Sequence, residues 1–398
     1  MTYNRDVKGF CIREDEDMKK ITLVLDGSAD RPNAALGHKT PLEYASTPNL
    51  DALYKKSLSG TCLTIPQGLE VGSAVANLSL LGFDPYTYRG RSIIEAAGLG
   101  LPMNENDLYI RCNLVTFEGN SFEASRIKSY SAYDIATDVA EPVMKELAAA
   151  VYDDDYKLVY CGSFRNTLIV KNGKDLYPLN LEPAHDIIGQ EIAPFIKTSG
   201  KQAKFFKLMK ASYDFLQDKG IAANGLWFWG DSIMPEIKGD TKGRVALSET
   251  LLMDGITTIA NLPNIGTRRE GRSFDDFLAE KLEKALKAVR EYDDIYVHIQ
   301  ETDDLSHELE PVKKMQAIES IDRVFLKDFL AGIEDDYTLS VASDHFTFSD
   351  TGAHGGESVP FLFYDSTNER EQDGRFTEQD CRDKNYRITA AELKAMQK

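Results

Sequence analysis

The sequence has no excess of basic residues. Its 46 Lys and Arg stand against 64 Asp and Glu, a formal net charge of −18, so a nucleic-acid surface, which needs a basic face, is not expected. A substrate anion remains compatible, because a local arginine cluster or bound cations can reverse the field inside a cleft. Cysteine is sparse. Cys11, Cys62, Cys112, Cys161 and Cys381 are odd in number, scattered and never spaced CxxC, which favours reduced thiols in a cytoplasmic protein over a disulfide framework. No apolar run approaches the roughly 18 residues that span a bilayer, and Met1 to Lys20 is polar without the apolar stretch of a signal peptide. Internal repeats and low-complexity segments are absent. No cysteine or serine sits in a C/S-x-P-S-R context, which argues against sulfatase chemistry.

What is present is an ordinary globular composition, 42% hydrophobic and 28% charged over 398 residues. That length exceeds what one core usually serves and predicts one large domain with a second. Short apolar runs alternate with helical periodicity over residues 18–111 and again from about 243, the pattern of an α/β fold. Strands are expected at 21–25, 295–299, 337–342 and 359–364. Helices are expected at 48–58, 273–290 and 311–330, the last with Met315, Ile318, Ile321, Phe325 and Phe329 as a core-facing stripe. Residues 112–240 differ in texture, with short strands and two helices near 138–152 and 202–219. The expected architecture is a doubly wound α/β domain, discontinuous over 18–111 and 241–398, with a smaller α+β domain inserted at 112–240. Residues 1–17 are expected to be an extension of little role, and the charged tail after Asn368 to pack weakly.

Three carboxylates share an address. Asp26 follows Ile21 to Leu25, Asp303 follows Ile295 to Ile299, and Asp344 follows Tyr337 to Ala342. Each lies just beyond a predicted strand's carboxyl end, where open α/β sheets bind ligands. Histidines accompany them: His307 four residues after Asp303, one helical turn away and on the same face, His345 beside Asp344, and His354 shortly after. Carboxylates and imidazoles suit Zn²⁺ or Mn²⁺. Ser73 lies between Gly72 and an apparent helix. Free N–H groups at a helix start suit a phosphate, but a serine hydroxyl needs activation to act as a nucleophile. No neighbouring His or Lys stands out as a base, which leaves metal coordination.

Taken in order, Asp-Gly-x-x-Asp after the first strand, Lys39-Thr-Pro-Leu-Glu, Thr47-Pro-Asn-Leu-Asp, Gly72-Ser-x-Val-Ala-Asn-Leu-Ser-Leu-Leu-Gly, Gly90-Arg with Glu95-Ala-Ala, Arg111-Cys-Asn-Leu-Val-Thr, Pro183-Ala-His-Asp, Trp229-Gly and the two C-terminal metal motifs resemble the cofactor-independent phosphoglycerate mutases of the archaeal type, members of the alkaline phosphatase superfamily. The resemblance spans about residues 18 to 365. It implies two divalent metal ions, most often Mn²⁺, with Zn²⁺, Co²⁺ or Mg²⁺ as alternatives. Asp303, His307 and His354 would hold one ion, and Asp26, Ser73, Asp344 and His345 the other. It further implies interconversion of 3-phosphoglycerate and 2-phosphoglycerate through a phosphoserine at Ser73, with the inserted domain closing over the small phosphorylated substrate. Arg91, Arg111 and Arg165 are the guanidinium groups expected to meet phosphate and carboxylate. His185 is either a substrate contact or part of a helix start.

Three departures from the family pattern touch the expected substrate shell. Ala74 stands where the residue after the nucleophile is usually acidic. Asp231-Ser-Ile-Met follows Trp229-Gly, so Ile233 stands where a cation is expected. Arg268-Arg-Glu-Gly-Arg replaces a Tyr-Glu-Gly-Lys region, making Arg269 or Arg272 the candidate substitute. A homoserine kinase-like phosphotransferase, the activity proposed for a related group of the same family, and a metal-dependent phosphatase are therefore the alternatives.

Overall fold

The computed structural model describes residues 18–397, and the expectation for residues 1–17 lies outside them. The chain divides into two compact units. The first holds the chain up to Tyr86, Ile237–Met253 and the chain from Ala260 onward; the second holds Thr87–Glu236 and Asp254–Ile259.

The first unit is built on a seven-stranded mixed sheet. Its strands are β1 (Lys19–Leu25), β2 (Leu58–Leu63), β8 (Arg244–Leu247), β9 (Asp294–Ile299), β10 (Tyr337–Ala342), β13 (Val359–Asp365) and β14 (Arg387–Thr389), in the order β14-β2-β13-β10-β1-β9-β8. β10, β1, β9 and β8 run parallel, and β13 is antiparallel to both of its neighbours. Every residue of β10 is buried, as expected of a strand covered on both faces. Because β10, β1 and β9 are adjacent and parallel, their carboxyl ends open on one edge of the sheet. A two-residue ribbon, β11 (Phe346–Thr347) with β12 (His354–Gly355), lies beyond β10.

The predicted stripe of Met315, Ile318, Ile321, Phe325 and Phe329 is buried in the core of this unit. The segment is not one regular helix. Pro311–Ser320 and Lys327–Gly332 are α-helical, and Ile321–Leu326 between them is a wider π turn. That turn carries Asp322, whose carboxylate accepts from Asn49 N at 3.3 Å and Leu50 N at 2.7 Å. It thereby satisfies free amides at the start of the helix Pro48–Lys55, which has no side-chain cap of its own.

The tail after Asn368 does not pack weakly. Phe376, Cys381, Ile388 and Leu393 are buried, β14 pairs with β2, and Gln397 donates to the Ile21 carbonyl at 2.6 Å. Most of its charged residues lie on the outer side of short helices whose other side completes the core, and Glu378 is itself buried, so composition alone misjudged the segment.

The second unit contains an antiparallel sheet of β3 (Leu108–Glu118), β4 (Arg126–Ser129), β5 (Tyr156–Gly162), β6 (Arg165–Val170) and β7 (Gly225–Ser232), with β3 bonded to β4, β6 and β7. The helices Thr137–Val151 and Ala203–Leu216 cover it. β3 starts at Leu108, so a boundary at 111/112 would cut a strand. The helix Ser92–Gly98 also belongs to this unit: Ile93 N donates to Ser232 Oγ at 2.7 Å. Residues 87–111, grouped with the first unit on sequence, thus lie in the second.

Candidate metal centre and nucleophile

Asp26 follows β1, Asp303 lies in the helix Glu301–His307 after β9, and Asp344 follows β10. Asp303, His345 and His354 present ligand atoms within 4.8 Å of one another, and so do Asp26, Asp344 and His345. His307 joins the first group, with Nε2 at 3.3 Å from Asp303 Oδ2 and 3.0 Å from His354 Nε2. His354 Nε2 is 3.5 Å from Asp303 Oδ1. In the second group His345 Nε2 lies 3.6 Å from Asp26 Oδ1 and 3.4 Å from Asp344 Oδ2. Ser73 opens the helix Ser73–Leu80, and its hydroxyl is 3.0 Å from His345 Nε2. The seven residues predicted as metal ligands and nucleophile are therefore gathered in one place.

The local sequence explains the tight approach of these loops. Gly27 has φ of +59°, and a Cβ there would stand 2.5 Å from Thr347 Oγ1 and 2.7 Å from Asp303 Oδ1. Only glycine fits a left-handed residue under two side chains of the site. Its N–H donates to Asp344 Oδ1 at 2.9 Å. Asn77, one turn after Ser73, donates to the Ser73 carbonyl at 2.9 Å and to Asp344 Oδ2 at 3.1 Å, and Tyr296 OH fixes it from behind at 2.6 Å. Thr347 donates to Asp303 Oδ1 at 2.7 Å, with its oxygen 3.1 Å from His345 Nδ1.

The electrostatics call for cations. Asp26, Asp303 and Asp344 are all buried, and their ion-pair partners among the described residues are histidines only. Burial, then the charges of Asp344 and Asp303, push the Asp26 carboxyl well above the usual carboxylate range. Burial also opposes ionisation of Asp303, but hydrogen bonds with His307 and His354 outweigh it and hold that carboxyl below the usual range. Burial keeps the His345 imidazole below its ordinary value. Asp26 Oδ1 is buried without a hydrogen-bond partner, and a bound cation is one group that would satisfy it. Hard carboxylate oxygens beside imidazole nitrogens, with one oxygen unpartnered, fit two divalent cations.

The comparisons bear on the same chain. A family model described as 2,3-bisphosphoglycerate-independent phosphoglycerate mutase matches residues 55–222. A protein of Methanothermobacter thermautotrophicus named 2,3-bisphosphoglycerate-independent phosphoglycerate mutase 2 is 31% identical over 87% of this chain and 88% of its own. The chain belongs to that family. Among solved structures, a Pyrococcus horikoshii protein matches with a TM-score of 0.76 at 23% identity, covering 96% of both chains. A Thermoplasma acidophilum cofactor-independent phosphoglycerate mutase matches with a TM-score of 0.64 at 22% identity, over 96% of this chain and 98% of its own. Both likenesses are of fold. No helix among the described residues is long and apolar enough to cross a membrane.

The residues expected at the mutase family's substrate shell fall in both units. In the second, Arg91 and Arg111 flank Glu95, at 2.8 and 3.2 Å. Arg111 also lies over the Trp229 ring, 4.2 Å from its centroid. His185 sits in a 3₁₀ turn, Ala184–Ile187, with its ring edge-on to Trp229. Arg165 is exposed and lies over Phe164. Asp231 accepts from Leu179 N at 2.8 Å, and Ile233 packs against the core of this unit. In the first unit, Arg269 pairs with Glu301 and Arg272 with Glu280, and each also donates to a carbonyl of the same loop. Sequence reasoning assigned no site role to His298, Asn77, Thr347 or Trp229, although Asn77 and Trp229 lie within motifs it quotes. His298 lies inside the apolar run 295–299; a histidine in such a run, five residues before Asp303, is the available signal.

Proposed function

We propose that this protein interconverts 3-phosphoglycerate and 2-phosphoglycerate through a phosphoserine at Ser73. The observation that carries the reading is the placement of the Ser73 hydroxyl, 3.0 Å from His345 Nε2 and at the start of a helix, among seven convergent candidate ligands. Asp303, His307 and His354 would hold one divalent cation, and Asp26, Asp344, His345 and Ser73 the other. Cations bound there would lower the pKa of the serine hydroxyl and neutralise charge on the transferring phosphoryl group. Ser73 Oγ forms the new bond to phosphorus while the substrate oxygen leaves. In the second half the neighbouring substrate hydroxyl takes the phosphoryl group back and Ser73 is regenerated. The first-turn amides of the helix Ser73–Leu80 add partial positive charge. Asn77 holds the Ser73 carbonyl and Asp344 together, so nucleophile and ligand keep one geometry. The second unit offers Arg111 and Arg165 as guanidinium groups suited to the substrate's phosphate and carboxylate.

A phosphotransferase acting on an amino-acid alcohol is the second reading. It is favoured by Ile233, a half-buried apolar residue packed against the core where the family pattern has a cation, and by the pairing of Arg269 and Arg272 with carboxylates. Steady-state assays of purified protein with Mn²⁺, on 3-phosphoglycerate and separately on homoserine with ATP, decide between them. Mutase turnover well above background supports the first reading; turnover confined to homoserine and ATP overturns it.

A further inference from the structure

His298 lies on β9 beside the site, fully enclosed, as is Asp26. Its Nε2 is 2.9 Å from Asp26 Oδ2, and its Nδ1 is 3.1 Å from Ser248 Oγ. In the ionised form that would ligate a cation Asp26 only accepts, so Nε2 carries the proton, and a neutral ring then accepts at Nδ1 from the Ser248 hydroxyl. Ser248 Oγ in turn accepts from Thr250 N at 3.3 Å. The backbone is held as well: Lys281 donates to the His298 carbonyl and to Glu249, and Glu249 accepts from Gln300 N at 2.9 Å. One oxygen of Asp26 is therefore engaged from behind. The other, Oδ1, has no hydrogen-bond partner and stands 3.6 Å from His345 Nε2.

We infer that His298 is a positioning residue that makes Asp26 a one-oxygen ligand. By occupying Oδ2 it fixes the carboxylate rotation and directs Oδ1 at the cation position shared with Asp344 and His345. Asp26 chelating through both oxygens would have to share Oδ2 between the cation and this hydrogen bond. The Asp26 carboxylate selects the tautomer, Ser248 partners the other ring nitrogen, and Lys281 with Glu249 fixes the strand end that carries the ring. The inference rests on the two-cation reading above. A histidine that merely satisfies a buried carboxylate would stabilise the fold without favouring one oxygen for a metal.

The test is Mn²⁺ binding to the full-length protein without substrate, followed by electron paramagnetic resonance and calorimetry. His298→Asn keeps a polar group near Nδ1 and removes the donor to Asp26; His298→Gln places an amide donor near Nε2. Loss of an outer-shell partner weakens metal affinity by about 10–100-fold. His298→Asn is expected to weaken one of two Mn²⁺ sites by that factor and spare the other, and His298→Gln to restore affinity to within a few-fold of wild type. Ser248→Ala, which leaves the ring in place but removes the partner of Nδ1, is expected to weaken the same site by a smaller factor, and it serves if His298→Asn does not fold. Wild-type affinity at both sites in His298→Asn, or in Ser248→Ala where the former does not fold, overturns the inference, even where the melting temperature falls. A wild-type protein that binds fewer than two ions overturns the two-cation reading itself.

Discussion

Lys314→Met should be among the most damaging single substitutions outside the candidate ligands. Lys314 is enclosed, with Nζ 3.0 Å from Asp30 Oδ2 and 2.9 Å from the Thr347 carbonyl. Burial depresses its pKa, and Asp30 beside it works in the opposite direction. Removing the ammonium leaves the Asp30 carboxylate buried with backbone donors only, Arg31 N at 2.7 Å and Ser349 N at 3.2 Å. Orphaning one member of a buried pair costs about 3–5 kcal/mol. For a unit of this size that corresponds to a fall of roughly 10 °C in melting temperature. Thr347 links the loss to the site, because its hydroxyl donates to Asp303, so Mn²⁺ affinity should drop as well. Adding Asp30→Asn removes the stranded charge and should recover more than half of the loss. Denaturant titration of wild type, single and double variants measures each quantity. A single-variant cost below about 1 kcal/mol, the value of an exposed pair, or a double variant no more stable than the single, refutes the reasoning.

Other outcomes follow from the same geometry. Glu378 is buried, and desolvation pushes its carboxyl up to about 7. The folded state therefore binds the extra proton between its unfolded pKa near 4.5 and about 7, and stability falls as pH rises through that window, by about 3 kcal/mol through this group. Glu378→Gln should remove that fall, so its stability relative to wild type should climb between pH 4.5 and pH 8 in parallel denaturation series; a pH-independent difference contradicts the assignment. Metal binding requires neutral imidazoles, and the hydrogen bond with Asp303 raises His307 above its ordinary value. Mn²⁺ affinity measured against pH should thus fall as pH is lowered and His307 takes up a proton, starting at a higher pH than an ordinary imidazole would give, and chelation should abolish activity at any pH. Arg111→Ala should lower kcat/KM tenfold to a hundredfold, the equivalent of about 1.5–3 kcal/mol for one charged hydrogen bond, with Mn²⁺ content unchanged; unaltered kinetics remove Arg111 from the substrate shell.

The parts legible in the sequence are those where one physical signal dominates. Fully buried parallel strands read as apolar runs, so 337–342 was placed to the residue and 295–299 to within one. The Asp and His residues beyond those strands stood out because they break the runs. β2 was not foreseen, since Leu-Ser-Gly-Thr-Cys-Leu is neither alternating nor strongly apolar and is a strand only through pairing with β13 and β14. The boundary at Tyr86 was missed because the helix Ser92–Gly98 is fixed by bonds to residues near 230, about 140 positions away, which no local pattern reports. Asn77 and Thr347 carry ordinary polar side chains whose roles exist only once three loops meet around Gly27.

The central claim is that Ser73 carries the phosphoryl group between two positions of one substrate. Rapid acid quenching of the Mn²⁺-loaded protein with phosphate-labelled 3-phosphoglycerate, followed by peptide mapping and product analysis, tests it in one measurement. The expected result is label on the peptide containing Ser73 and in 2-phosphoglycerate, without added bisphosphoglycerate, and neither in Ser73→Ala. Label on a histidine, or label passing to inorganic phosphate while 2-phosphoglycerate stays at background, contradicts the account.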